Sequence, residues 1–304
     1  MISVGTFENK MKAILTLVFV ILWVGTAIAQ QPTVDFRTYV EKRLGEKKQK
    51  LEDICPIDIN IVARRVFKDY GAMFIATREV RYPDKCVFSS DEEVSAFQNS
   101  VRIKSATIGN RTIELQAAAM DALMAARKEA AGRKLTITPR GASAARRSYA
   151  DTYRIWKSRF DPALKHWVAR GRIAQKEADE AAKMETTDQV ARVIEWEQDS
   201  IWFSTGFNRS IFSSVAAPGT SQHLSMIALD VAEFGNRDVR AILNRHGWYQ
   251  TIIDDTPHFT YLGLDEKELP KRGLIAETRG GVSFLISNLL RKKRKEGEPI
   301  SRSV

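Results

Sequence analysis

Two short stretches in the C-terminal third of this 304-residue chain restrict its fold, because their polar side chains can act together only if the chain brings them to one place. The first stretch begins at Pro218 and contains His223 and Asp230, and the second contains Asp255 and His258. Two of the four histidines of the chain lie here. Two imidazoles and two carboxylates are the ligand and base set of a catalytic zinc site with three protein ligands and one open position. The sequence therefore predicts a metal site built from both stretches.

The spacing within each stretch sets a geometric condition. His223 and Asp230 flank the apolar segment 224–229, which is typical of a loop that runs into a strand. On an extended segment the two positions project to opposite faces, so a turn after His223 is needed, and Gly219 permits one nearby. His258 follows Asp255 by three residues, a spacing that lets the imidazole bind a metal while the carboxylate accepts a proton from water.

The N-terminus predicts export. An uncharged apolar run, residues 13–28, follows two lysines and ends in Ala27-Ile28-Ala29. This pattern is typical of a signal peptide, here 1–29, cleaved after Ala29, which places the protein in the periplasm or outside the cell. An uncleaved membrane anchor is the alternative, although the run is short for a spanning helix. Met11 is an alternative start.

The net charge of +10 indicates anionic surroundings. For an exported protein these are cell-wall polymer or a membrane surface rather than nucleic acid, since no nucleic-acid-binding motif is present. The basic run at 291–295 begins a tail, 291–304, that we expect to be mobile and able to contact such a surface. The alternative is that the surplus Lys and Arg only solvate the protein.

The only two cysteines, Cys55 and Cys86, both lie in the exported part of the chain. In an oxidising compartment such a pair predicts a disulfide, which would stabilise this region by roughly 3 kcal/mol. The region 30–131 around it is predicted to be a mostly helical α+β segment, and its sequence indicates no role.

Hydrophobic periodicity and capping residues predict the local elements. The segment 57–76 suits either a strand or a helix. Elsewhere the patterns predict an amphipathic helix over 34–53, a helix from Asp91 capped by Ser89 or Ser90, a helix over 112–131 ending at Gly132, a strand over 135–138 with a turn at 139–141, and helices over 143–160 and 175–197. Together they predict an α+β fold, with a small antiparallel sheet flanked by helices in a domain spanning 132–290.

The first stretch also resembles a known signature. Ser221, His223, Ala228 and Asp230 match the Ser-x-His-x-x-Gly-x-Ala-x-Asp pattern of VanY-type D-alanyl-D-alanine carboxypeptidases, with Ser225 interpreted as the replacement for glycine. Two further segments are similar to that family. Segment 258–263 resembles its closing segment, in which Glu-x-x-His precedes aromatic residues and a glycine, and 147–149 resembles its Arg-Ser-Tyr. The resemblance covers about residues 135–265.

The resemblance implies a role for each matching residue. It makes His223, Asp230 and His258 ligands of Zn²⁺ and Asp255 the general base. It makes Arg147 the clamp on the terminal carboxylate of the substrate, for which a planar guanidinium is suited, with Arg140 as the rival for that role. It also implies that Ser221 and Tyr149 contact the substrate.

Two departures from the family pattern bear on catalysis. Asp255 stands where the family usually has Glu, so the proposed base is one methylene shorter. Pro257 stands where the family usually has Trp before the last histidine, which changes the pocket wall. His166 and His246 lie outside the pattern and are interpreted as structural residues.

The function implied by the resemblance is an exported zinc carboxypeptidase that hydrolyses the terminal D-alanyl-D-alanine bond of peptidoglycan stem peptides. One alternative is an endopeptidase or L,D-carboxypeptidase with the same metal site. The other is a zinc-containing cell-wall-binding module without turnover, which the shortened acid at 255 favours. The sequence predicts no oligomeric state.

Overall fold

α-Helices and small antiparallel sheets are mixed throughout residues 34–290, the part of the chain that the computed structural model describes. The predicted α+β class is thereby confirmed. The predicted signal peptide, 1–29, and the basic tail, 291–304, lie outside the described residues. Within 34–290 none of the helices has the length and apolarity needed to cross a membrane.

The described part of the chain begins with helices that pack around aromatic side chains. The helix predicted over 34–53 is interrupted, because Lys48 adopts a left-handed backbone with φ 60° and separates two shorter helices. The segment 57–76, left open by its sequence, is helical and ends in a 3-10 turn. The helices are α1 (Phe36–Gly45), α2 (Leu51–Ile54), α3 (Ile61–Tyr70) and α4 (Asp91–Asn99), and the last is capped by Ser90 as predicted.

A hairpin precedes the long helix of this region. β1 (Ile103–Ile108) pairs antiparallel with β2 (Arg111–Gln116), and α5 (Ala117–Gly132) follows at once. The prediction of a helix from residue 112 was therefore wrong for its first five residues, although its end at Gly132 is confirmed. The pair Gly109-Asn110 between two β-compatible runs is a hairpin signal that would have located the turn.

Three predicted elements of the middle region differ from the structure. The helix predicted from residue 143 is α6 (Tyr149–Ala169), because Ser148 and Asp151 form a reciprocal capping box. The helix predicted over 175–197 divides into α7 (Gln175–Lys183) and α8 (Thr186–Gln198), since Met184 and Glu185 are extended. The strand predicted over 135–138 was wrong, because the Thr138 N–H donates to the Glu233 carboxylate instead of to a strand.

A three-stranded antiparallel sheet carries the residues of interest. Its strands are β3 (Ala228–Asp230), β4 (Trp248–Tyr249) and β5 (His258–Tyr261), in the order β3-β5-β4, with α9 (Arg237–Arg245) in the β3–β4 connection. In this register Asp230 lies directly opposite His258. A last hairpin, β6 (Leu274–Arg279) and β7 (Val282–Ser287), extends the structure through the Leu285 N–H, which donates to the Gln250 carbonyl.

One hydrophobic core joins residues from both sides of position 131. Buried members come from the early helices, from α5 and α6, from the three-stranded sheet and from the last hairpin, for example Phe67, Leu123, Trp156, Phe259 and Leu285. The predicted disulfide between Cys55 and Cys86 is present and confirmed. Residues 34–131 therefore share one core with the sheet that carries the histidines.

Candidate metal site

Three predicted ligands meet at one point. His223 Nε2 lies 3.1 Å from His258 Nδ1 and 3.3 Å from Asp230 Oδ1, and His258 Nδ1 lies 3.4 Å from the same carboxylate oxygen. Ligand atoms about 2.1 Å from a tetrahedral zinc ion lie roughly 3.4 Å from one another. The three atoms therefore have the spacing of one face of a tetrahedral metal site.

Local backbone structure brings His223 and Asp230 together. Three successive i→i+3 hydrogen bonds, from the N–H groups of Leu224, Ser225 and Met226, wind residues 221–226 into a tight turn. β3 starts two residues later, so Asp230 returns to the face on which His223 lies. This is the turn after His223 that the spacing predicted.

The motif assignment of Ser225 needs correction. Counted back from Ala228, the glycine of the signature falls at Met226 and not at Ser225. Met226 has φ 55°, in the left-handed region that glycine adopts most readily. Its side chain is fully buried, so packing holds a residue that this backbone disfavours.

The turn is also anchored from outside. Gly219 has φ 78°, and a Cβ at this position would lie 1.9 Å from the Phe88 carbonyl oxygen. The Gly219 carbonyl accepts a hydrogen bond of 2.9 Å from the Phe88 N–H. Phe88 is two residues from Cys86, so the disulfide-linked segment is packed against the start of the histidine turn.

Hydrogen bonds define the tautomers of both imidazoles. His223 Nδ1 lies 2.7 Å from the Ala145 carbonyl oxygen, which can only accept, so Nδ1 carries the proton and Nε2 is left as an acceptor. His258 Nε2 lies 2.9 Å from Gln222 Oε1 and donates to it, which leaves Nδ1 as an acceptor. Two imidazole lone pairs and a carboxylate oxygen therefore face one point.

This arrangement fits a cation. Three acceptors directed at one point repel one another unless a positive charge lies between them. Two neutral imidazoles and one carboxylate are a donor set that zinc accepts in catalytic sites. His223, Asp230 and His258 could therefore hold Zn²⁺, which stays a prediction from geometry and donor chemistry.

Burial prepares the ligands for metal binding. Burial, aided by the charge of Arg147 and opposed by Asp230, lowers the pKa of His223 to about 4, so its ring is neutral at neutral pH. Burial opposes ionisation of Asp230 as well, but the charge of Arg147 helps to hold the pKa of its carboxyl well below the usual range. Both groups are thus in the protonation state that a metal requires.

Asp255 differs from every other acid near the site. Its half-buried carboxylate makes no hydrogen bond and no ion pair with any side chain in the part of the chain that the structure describes. Burial raises the pKa of its carboxyl to about 6, with Asp230 adding to the shift and His258, Arg147 and Arg140 opposing it. A carboxylate that is not engaged by protein and has a raised pKa is suited to accept a proton from water.

Arg147 is directed at a ligand. Its Nη2 donates to Asp230 Oδ2 at 2.6 Å and its Nε donates to the Ser143 carbonyl at 2.8 Å. The guanidinium thus neutralises the outer oxygen of Asp230, an arrangement that the sequence did not predict. Its Nη1 has no hydrogen-bond partner among residues 34–290 and is the nitrogen that a substrate carboxylate could contact.

The other predicted site residues have varied surroundings. Arg140 is exposed, with its guanidinium 5.0 Å from the centre of the Phe234 ring, and its charge acts on Asp255. Ser221 is buried, and its hydroxyl accepts from the His223 N–H at 3.4 Å, so it stabilises the turn. Tyr149 packs on the small cluster that contains Phe88 and Leu224. The substrate-binding roles of these residues stay predictions.

Sequence reasoning missed the support that region 30–131 gives to this site. Buried amides of Gln98 and Gln116 donate to the carbonyls of Leu224 and Ser225, and the Gln116 N–H donates to the Met226 carbonyl. These contacts join positions more than 100 residues apart in the chain. Periodicity carries no information about such pairs, so no local signal in the sequence could have located them.

No protein-family model and no curated protein sequence matches this chain. Two solved structures are distantly similar to it. One is a VanY vancomycin-resistance D,D-pentapeptidase variant in complex with Zn(II), with 14% identity, a TM-score of 0.33 and coverage of 60% of this chain and 86% of that one. The other is the LD-carboxypeptidase LdcB, with 15% identity, a TM-score of 0.28 and coverage of 64% and 79%.

Proposed function

We propose that this protein is an exported zinc peptidase that removes the terminal D-alanine from peptidoglycan stem peptides. The convergence of His223 Nε2, His258 Nδ1 and Asp230 Oδ1 on one point carries the proposal, because three acceptors at this spacing suit a bound cation. The resemblance of 221–230 and 258–263 to the carboxypeptidase signature supports the substrate class.

The residues of the chain have distinct roles in this reaction. His223, Asp230 and His258 would hold the zinc ion, which would supply Lewis acidity for the scissile carbonyl and for a water molecule. Asp255 accepts the proton of that water and delivers it to the leaving amine of D-alanine. Arg147 Nη2 donates to Asp230 and balances its charge, and Nη1 is available to bind the free carboxylate of the substrate.

A cavity beside Arg147 gives room for part of a peptide. It has a volume of about 470 Å³ and is lined by Ala145 and Arg147 together with residues of β2 and α4. A stem peptide whose end lies in this cavity would present its carboxylate to Arg147.

The test is hydrolysis of a stem pentapeptide by zinc-loaded protein, with the products identified by mass spectrometry. Wild type should release free D-alanine, and Asp255→Asn should lower kcat by about 10²- to 10⁴-fold because the general base is lost. Asp255→Glu restores the acid that the resembling family uses and should keep activity. Zinc content measured for each variant should be unchanged.

Three outcomes would favour other functions. Equal cleavage of a C-terminally amidated pentapeptide would indicate an endopeptidase, since recognition by Arg147 needs a free carboxylate. Cleavage of a tetrapeptide but not of the pentapeptide would indicate an L,D-carboxypeptidase. Tight zinc binding without hydrolysis of any stem peptide would leave a cell-wall-binding module, which the short side chain of Asp255 favours.

A further inference from the structure

Gln222 is a buried amide at the centre of the site that neither the motif nor the proposed reaction uses. It is completely inaccessible to solvent, and its Nε2 donates to the Tyr70 carbonyl at 2.8 Å. A carbonyl oxygen only accepts, so this contact fixes the amide orientation and places Oε1 on the opposite side. There Oε1 accepts hydrogen bonds from His258 Nε2, at 2.9 Å, and from the Thr260 hydroxyl.

The orientation of Gln222 determines which nitrogen of His258 carries the proton. Because Oε1 can only accept, His258 Nε2 must be protonated and Nδ1 must present its lone pair to Asp230 and His223. We propose that Gln222 is a positioning residue that fixes the tautomer and the ring direction of His258 for metal binding. The inference rests on the proposed metal site and adds a residue to it.

A second hydroxyl completes the network. The Thr260 hydroxyl donates to Gln222, so it accepts from the Thr251 hydroxyl, 2.6 Å away, and both threonines are buried. Every donor in this chain of contacts thus has one acceptor, and reversing any group would leave a buried donor facing a donor. The network therefore has one favourable arrangement, and His258 adopts the ring direction that it dictates.

The network also gives the N-terminal region a part in the site. Tyr70 is the last residue of α3, at the point where the α-helix passes into a 3-10 turn. Its hydroxyl donates to the Phe212 carbonyl at 2.8 Å, which fixes the residue at both ends. The end of α3 therefore orients Gln222, and Gln222 orients His258.

Gln222→Met tests the inference, and the chain offers a matched control. Gln189 is equally buried, accepts from the ring N–H of Trp156 at 2.8 Å and donates to the Ala181 carbonyl at 3.1 Å, remote from the histidines. Gln189→Met removes the same two kinds of hydrogen bond and should lower Tm to a similar extent. Only Gln222→Met should change His258.

Two measurements separate positioning from stability. In metal-free protein, ¹⁵N NMR of the histidine rings should show His258 protonated at Nε2 in wild type and in Gln189→Met, and a mixture of tautomers in Gln222→Met. Competition with a chromophoric chelator should show zinc affinity reduced by about 10- to 100-fold in Gln222→Met and unchanged in Gln189→Met. Gln222→Glu, as a buried carboxylic acid, can donate its O–H to the Tyr70 carbonyl and keep an acceptor for His258 Nε2, so it should keep both the tautomer and most of the affinity.

An unchanged tautomer or unchanged zinc affinity in Gln222→Met would overturn the inference, as would an equal loss of affinity in Gln189→Met. If Gln222→Met does not fold, Gln222→Glu and Thr260→Val decide, because both keep an acceptor for His258 Nε2 and a mixture of His258 tautomers in either variant would overturn the inference. Wild-type protein that binds zinc but hydrolyses no stem peptide would contradict the proposed function alone. Wild-type protein that binds no zinc would overturn both.

Discussion

Two clusters in this molecule combine histidine, carboxylate and arginine, and they differ in how their hydrogen bonds are completed. On the surface, Glu129 of α5 accepts from His246 Nε2 at 2.9 Å, from Arg133 Nη2 at 2.9 Å and from Arg245. At the candidate metal site, His223 and His258 meet Asp230 and Arg147. The residue types are the same in both clusters.

The direction of the imidazoles separates them. In the surface cluster a ring nitrogen of His246 points at the carboxylate and three donors share one acid, so nothing further is required. In the buried cluster the N–H groups of both histidines donate to other acceptors, the Ala145 carbonyl and Gln222 Oε1. Their ring lone pairs therefore face Asp230. Residue composition therefore does not distinguish a metal site. The distinguishing feature is that the histidine N–H groups donate to acceptors outside the cluster and leave the ring lone pairs directed at one point.

The largest expected difference between the clusters is in zinc affinity. Asp230→Ala removes one ligand and leaves Arg147 without its partner, so zinc affinity should fall by more than about 100-fold and hydrolysis should be lost. Glu129→Ala should leave both unchanged, because its cluster contacts no ligand. Chelator competition and pentapeptide hydrolysis measure the two effects. Retained zinc affinity in Asp230→Ala would show that the two clusters are equivalent.

Replacing a glycine next to each cluster by alanine should also affect the free energy of unfolding differently. A Cβ at Gly219 would meet the Phe88 carbonyl, and the positive φ adds strain, so Gly219→Ala should destabilise the protein by about 2–4 kcal/mol. Gly132, beside Arg133 of the surface cluster, has no atom within 4 Å of an added Cβ, so Gly132→Ala should be neutral or stabilise by about 0.5 kcal/mol. Urea denaturation of both variants decides, and similar free energies of unfolding would refute the distinction.

In metal-free protein, the pH dependence of stability should show the lowered pKa of His223 once Asp255 is replaced by a neutral residue. His223 has its ordinary pKa of 6.5 in the unfolded chain and about 4 in the fold, so the unfolded chain takes up a proton first and stability falls as pH drops through this window. Asp255 acts in the opposite sense, because its pKa is about 6 in the fold and 3.8 in the unfolded chain. The two effects oppose each other in wild type.

Asp255→Asn should therefore make the acid dependence steep. Between pH 6.5 and 4 the variant should lose about 2–3 kcal/mol of unfolding free energy, while wild type changes much less. Near pH 7 the variant should be more stable than wild type, since a buried charge is gone. Urea denaturation in the presence of EDTA at several pH values measures this. A parallel response of the two proteins would show that His223 or Asp255 titrates normally.

The smallest effect is expected for the surface cluster. Hydrogen bonds from Arg245 and His246 hold the pKa of Glu129 at about 2, below its ordinary 4.5, so its contribution to stability is present above pH 4.5 and is lost toward pH 2. Glu129→Gln should lower Tm slightly at low ionic strength, and the difference should vanish near 1 M salt, where the screening length is about 3 Å. A salt-independent loss of Tm would mean that the cluster acts through packing.

Local elements were predictable where their signals lie within a few residues. Ser90 marks the start of α4 and Gly132 the end of α5, and the two cysteines of the chain predicted their own pairing. The predicted strand over 135–138 failed because Glu233, almost 100 residues away, takes the Thr138 N–H. Alternation at 135–138 is a local pattern, and it could not reveal that competitor.

The candidate site shows the same division between local and distant information. His223, Asp230, Asp255 and His258 were identified from their residue types and spacing, and the need for a turn after His223 followed from strand geometry. The sequence by itself thus determined which atoms are available for a metal and that a small antiparallel sheet would carry them.

Only the tertiary structure decided which way those atoms face. Ala145 and Gln222 accept hydrogen bonds from the N–H groups of the two histidines. The Tyr70 carbonyl fixes the orientation of the Gln222 amide, and Arg147 donates to Asp230. Each of these contacts joins residues far apart in the chain. The tautomer of a histidine depends on its hydrogen-bond partner, and that partner is known only when the chain is folded.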